Sequence, residues 1–154
     1  MARGTTRAPS QHAYRGALGR TQQTTIHVTG PRGDLVPAQV YTTIDAVSDP
    51  ELVERLHSED PARGLNMIRI EGAEPFRVAV PVIYHDPAAE LFVLVLGDAY
   101  RHRALDERIR IYERMRADDA PLPAYAKEFA VVYGASGLRG YLEDRAQQAL
   151  QSAR

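Results

Sequence analysis

The chain has 154 residues, of which 44% are apolar and 25% charged, with a net charge of −1 and no cysteine. That composition suffices for one globular core, and the missing cysteines exclude disulfides, a thiolate nucleophile and sulfur-ligated zinc or iron–sulfur sites. No apolar run approaches the roughly 18 residues of a membrane span, and the N-terminus lacks the apolar core of a secretory signal, so a cytoplasmic protein is expected.

In chain order, the first 24 residues carry Arg3, Arg7, Arg15 and Arg20 and no acid. They are rich in Gly, Ser, Thr and Gln, too polar to offset the entropy of ordering, and predict a disordered basic arm over 1–23. From Thr24 the pattern turns β-like. Residues 24–28 and 36–44 flank a turn at Gly30-Pro31-Arg32-Gly33-Asp34 and read as a hairpin. Asp49 as N-cap and Pro50 at the first helical position start a helix over 50–57 that buries Leu52, Val53 and Leu56.

Residues 65–70 and 76–84 flank the turn Glu71-Gly72-Ala73-Glu74-Pro75 and predict a second hairpin. Six consecutive apolar residues, 91–96, predict a strand buried on both faces. Residues 98–116 carry a broad helical face of Tyr100, Ala104, Leu105, Ile109, Ile111, Tyr112 and Met115. A short strand over 128–133 and a helix over 137–150, capped by Ser136, complete the chain. The expected fold is α+β: two zinc-ribbon-like β-hairpins and an added strand form an antiparallel sheet, covered by C-terminal helices. The expected organisation is an arm (1–23), a β domain with one short helix (24–97) and a helix–strand–helix extension on the same core (98–154).

Between residues 24 and 97 the chain resembles the CpXC domain family. The resemblance rests on the proline of Gly30-Pro31-Arg32-Gly33, the helix start Asp49-Pro50-Glu51-Leu52, Leu65-Asn66, and Pro81-Val82-Ile83-Tyr84-His85-Asp86. It implies a zinc-ribbon-like pair of turns with a cysteine pair in each. Here the corresponding positions are Gly30, Gly33, Ile70 and Ala73, none of which has a donor atom, so the resemblance implies a metal-less member with no cofactor. Structural zinc in small domains is worth ~10–16 kcal/mol of folding free energy. Replacing it takes roughly 400–600 Å² of extra apolar burial at ~25 cal/mol per Å², which the helices after Asp98 are placed to supply.

Among residues with chemistry, His85 beside Asp86 has the elements of a general base, but neighbours in a turn rarely face one another and no nucleophile accompanies them. Asp98, His102 and Asp106 recur at helical spacing, yet Arg101, Arg103, Arg108 and Arg110 interleave with them and would repel a cation. His27 and His57 stand alone. Arg101 and Arg108 fall inside the apolar arc of their helix, where an arginine snorkels, pairs with an acid or meets a partner protein. Gly134-Ala135-Ser136-Gly137 lacks the lysine and glycine spacing of a phosphate loop. The expected function is a non-enzymatic protein-interaction module, an adaptor or regulatory subunit with Arg101 and Arg108 as candidate partner-binding residues. The alternatives are a small hydrolase or lyase using His85 with a nearby carboxylate, and a nucleic-acid accessory protein working through the arginine arm.

Overall fold

A computed structural model describes Tyr14, residues 16–60 and residues 62–153. Its centre is the antiparallel pair β5 (Val82–Asp86) and β6 (Leu91–Leu96). All six residues of β6 are buried, so this pair needs cover on both sides. On one face Ile83, Phe92, Leu94 and Leu96 pack with Ile111 and Met115 of α2 (Ala104–Arg116), Ala126 of α3 (Ala124–Lys127), and Phe129. On the other face Tyr84, Val93, Val95 and Val132 meet Leu138, Tyr141 and Leu142 of α4 (Gly134–Ser152). There Ile44 and Val82 also meet Leu52 of α1 (Pro50–His57).

β1 (Gln22–Thr29), β2 (Leu35–Asp45) and β7 (Ala130–Tyr133) complete a five-stranded sheet in the order β1-β2-β5-β6-β7. The expected antiparallel sheet is corrected here, because β2 pairs with β5 and β6 with β7 in parallel. The connections explain it. Parallel neighbours require a long crossover, commonly helical, and α1 lies between β2 and β5, while α2 and α3 lie between β6 and β7. The two crossovers use opposite faces, which gives the sheet its two covers.

The expected second hairpin shrinks to β3 (Met67–Ile68) and β4 (Phe76–Arg77), a separate two-stranded sheet. Residues 82–86 leave it for the main sheet. Asn66, with a left-handed φ of 59°, turns its side-chain amide on β2. Its Oδ1 accepts from the Tyr41 N–H at 2.7 Å, and its Nδ2 donates to the Tyr41 carbonyl at 3.0 Å. One side chain thus substitutes for a neighbouring strand just before the β5 pairing begins.

Two further expectations change. The segment Asp98–Arg103 is a 3-10 helix, with three residues per turn, so it does not continue the phase of α2. Within α2 the buried stripe is also narrower than the apolar face, being Glu107, Ile111 and Met115, while Leu105 and Ile109 are 69% and 48% exposed. The last helix begins at Gly134, directly after β7 and with a φ of +70°, and Ser136 lies inside it without capping it.

The predicted arm boundary also moves. Tyr14 and Leu18 are buried in the core, at 4% and 3% exposure, and β1 starts at Gln22. Arg3 and Arg7 lie outside the described residues, as does Arg15. A chain beginning at Gln22 should therefore be destabilised by about 3 kcal/mol or more, the transfer cost of two large side chains. Urea unfolding measures this, and an unchanged midpoint would show that the segment contributes nothing to the core.

Candidate functional site

The hairpin that opens the domain extends past the sheet. Gly33 holds a φ of +81°, a conformation for which glycine is suited. The turn closes with Gly33 N–H donating to the Gly30 carbonyl at 3.0 Å and Gly30 N–H to the Asp34 carbonyl at 2.7 Å. The register then places Thr29 opposite Leu35, Val28 opposite Val36 and His27 opposite Pro37. Only Thr43, Ile44 and Asp45 of β2 pair with β5. Among the described residues, 25–40 are therefore a two-stranded ribbon with no further strand paired on either side.

The two edges differ chemically. Antiparallel pairs alternate between residues that exchange hydrogen bonds and residues that do not. With Gly30 and Asp34 bonded, Val28 with Val36 and Ile26 with Ala38 are the bonded pairs. Thr25, His27 and Thr29 therefore turn their N–H and C=O groups to the open side of β1. Pro37, opposite His27, has no N–H to offer on the open side of β2, a common way of blunting an edge. β1 has no such protection: over Gln22–Thr29 it contains no charged residue and no proline.

The second turn, with Ala73 N–H donating to the Ile70 carbonyl at 3.1 Å and Gly72 at a φ of +84°, abuts the first. A methyl group on Gly72 would lie 3.8 Å from Cγ of Pro31. The turns carrying Gly30, Gly33, Ile70 and Ala73 thus approach one another at Pro31 and Gly72, and none of the four positions offers a side-chain donor atom. Among the described residues, no group of three or more His, Asp or Glu side chains is gathered to hold a metal ion. Asp98 is engaged by Arg101 at 3.0 Å, and the 3-10 geometry of 98–103 separates His102 from the helical phase of Asp106.

His85 and Asp86 alternate across the sheet and do not meet. Asp86 accepts the N–H groups of Ala88 and Ala89 at 3.0 and 3.1 Å, holding the β5–β6 turn. It borders a groove of about 700 Å³ that Tyr84, Leu142, Arg145 and Ala149 also line. Burial and the nearby Asp86 push the Tyr84 hydroxyl up to about 12. His85 points the opposite way and is fully buried. Its Nδ1 lies 2.8 Å from the Gly19 carbonyl and its Nε2 2.8 Å from the Tyr125 hydroxyl. Burial lowers the imidazole pKa, against the upward pull of the Gly19 carbonyl, Asp45 and Asp86. The ring has neither a free nitrogen nor access to a substrate.

The cluster around His85 involves residues that the sequence patterns did not single out. The Tyr125 hydroxyl accepts the Tyr14 N–H at 2.9 Å. The Tyr14 hydroxyl donates to Asp118, which also accepts the N–H groups of Leu18 at 2.9 Å and Ala120 at 3.1 Å. Burial pushes the Asp118 carboxyl up, but these hydrogen bonds outweigh it and hold the group below its ordinary value. A Cβ on Gly16 would collide with Asp118 and Tyr14, and one on Gly19 would sit 2.9 Å from the His85 ring. The available signal was the Gly-Ala-Leu-Gly spacing of residues 16–19, two close-approach positions around one apolar residue.

Arg101 and Arg108 are both engaged within the chain. The Arg101 guanidinium lies 4.1 Å from the centre of the Tyr133 ring while it pairs with Asp98. Arg108 donates to the Phe129 carbonyl at 3.2 Å and covers the Phe129 ring at 5.0 Å. Both fasten the helical segment after β6 to the chain around β7.

Compared with known proteins, the chain matches no family model, no curated protein and no solved structure. Among the described residues, no helix is long and apolar enough to cross a membrane.

Asp118→Ala would leave one hydroxyl and two N–H groups without their acceptor. It should cost about 2–4 kcal/mol, whereas the exposed Glu143→Ala should stay within about 0.5 kcal/mol. Equal unfolding midpoints for the two variants would refute the role given to Asp118.

Proposed function

We propose that this protein is a non-enzymatic interaction module, an adaptor or regulatory subunit, that takes up an extended segment of another protein as an added strand on β1. The observation that carries this reading is the asymmetry of the ribbon. One edge is blunted by Pro37, and the other is an uncharged strand of eight residues with Thr25, His27 and Thr29 directed outward. Strand addition draws affinity from main-chain hydrogen bonds and specificity from alternate side chains, and an open edge of this kind is the template it needs. The internal engagement of His85 on both nitrogens favours binding over hydrolase or lyase chemistry at that residue.

The resemblance to the CpXC family belongs to the same reading. The abutting turns at Gly30 to Gly33 and Ile70 to Ala73 support a knuckle pair stripped of its donors, in which proline and glycine packing stands where the family's pattern implies metal. Arg101 and Arg108 then serve the module by fixing its helices, and the partner surface lies at the ribbon.

Selecting a random-peptide phage library on the full chain tests the reading. Enriched peptides should bind with micromolar Kd and weaken at least about tenfold against His27→Pro, the loss of one or two main-chain hydrogen bonds. That substitution removes an outward N–H without removing a ladder bond to β2. Peptides that bind His27→Pro as tightly as the parent protein would place the binding surface elsewhere and reject strand addition.

A further inference from the structure

We infer that Tyr14 and residues 16–20 form a pH-gated strap, closed while His85 is neutral and released when the imidazole takes a proton. The donor and acceptor pattern around the ring sets this requirement. In the closed arrangement Nδ1–H donates to the Gly19 carbonyl, Nε2 accepts the Tyr125 O–H, and the Tyr125 oxygen accepts the Tyr14 N–H. Every group has one fitting partner. This holds for a single protonation state and a single tautomer of His85.

A proton on Nε2 converts that nitrogen from acceptor to donor. The Tyr125 hydroxyl then loses the acceptor for its own hydrogen, while its oxygen is asked to take both Nε2–H and the Tyr14 N–H. The charge would also sit on a fully buried ring, whose aromatic neighbours Tyr14, Phe92 and Tyr125 lie with centroids 5.5 to 5.9 Å away. Charged groups near the cluster come from several elements. Asp45 of β2 and Asp86 of β5 favour the cation, and Glu90 acts on Tyr125. Asp118 and Arg114 on the α2 side act on Tyr14. Burial is the larger influence on His85 and opposes Asp45 and Asp86.

The strap is the element able to yield. Gly16 and Gly19 bring its backbone against Asp118 and His85, so its departure opens the ring to water without disturbing the β5–β6 ladder. Its far end is anchored separately. Thr21 Oγ1 donates to Asp49 at 2.5 Å and accepts the Asp45 N–H at 2.9 Å. The hinge therefore falls between Arg20 and Thr21, and β1 keeps its place when the strap leaves.

The sign follows from the lowered imidazole pKa. The unfolded or released chain binds the proton more readily than the closed one, so closure is fully favoured above the ordinary histidine value of 6.5. It weakens as pH falls through the interval below that value.

The test is an NMR titration of the full chain from pH 8 to 4.5. It follows the His85 ring signal, amide exchange at Tyr14, Leu18 and Gly19, and amide exchange at Val93 and Leu94 of β6. The strap amides should lose at least tenfold in protection in step with His85 protonation, while β6 stays protected. His57, on the other face of the sheet, should titrate without affecting the strap. His85→Gln, which keeps a side-chain donor and acceptor but does not titrate, should leave strap protection independent of pH. Should that variant misfold, Tyr125→Phe, which removes the hydroxyl that joins the Tyr14 N–H to His85 Nε2, should loosen the strap already at pH 8. Protonation of His85 with an unchanged strap, simultaneous loss of β6 protection, or an undisturbed strap in Tyr125→Phe would each overturn the proposal.

Discussion

The burial of β6 on both faces is the constraint from which the rest of the architecture follows. A strand with Leu91, Phe92, Val93, Leu94, Val95 and Leu96 all removed from water cannot lie in a two-layer fold, because each face then needs apolar cover. α1 and α4 supply one cover, and α2, α3 and the segment around Tyr14 and Leu18 supply the other. α1, and α2 with α3, reach opposite faces because they lie in the two connections between parallel neighbours, and α4, after β7, adds to the cover on the α1 side.

The ribbon is what remains once that core is built. β2 has eleven residues, but only three of them pair with β5, and the Asn66 amide takes over at Tyr41 where the neighbouring strand is missing. Beyond that point the hairpin relies on its own ladder and on the contact between its turn and Gly72. An isolated hairpin is marginal in water, and the abutting turn gives this one a support at its tip. The resulting projection carries no Asp, Glu, Lys or Arg along β1, which is the feature on which the proposed main-chain recognition rests.

Much of this was legible in the residues, and the misses have physical causes. The first hairpin follows from Gly30-Pro31-Arg32-Gly33, α1 from Asp49-Pro50, and β6 from an unbroken apolar run. Strand direction was not legible in the hydrophobic pattern, because parallel and antiparallel pairing leave the same alternation; the intervening helices held that information. Leu105 and Ile109 are exposed because they lie well round α2 from the stripe of Glu107, Ile111 and Met115 that it buries, and the width of an apolar arc does not show how much of it finds cover. Tyr14 and Leu18 were hidden by their polar surroundings, since composition averages over a segment while burial is decided by single side chains. His85 stood out as a residue with chemistry, but its partners Gly19, Tyr125 and, through Tyr14, Asp118 are distant in sequence.

The open edge of β1 is the central claim, and amide hydrogen exchange along that strand tests it directly. The account requires alternation: Thr24, Ile26 and Val28, bonded to β2, should be protected, while Thr25, His27 and Thr29 should exchange at least tenfold faster. Uniform protection would mean that the edge is already covered in the free protein, and uniformly fast exchange would mean that the ribbon does not persist. Either result would contradict an edge held open for a partner strand.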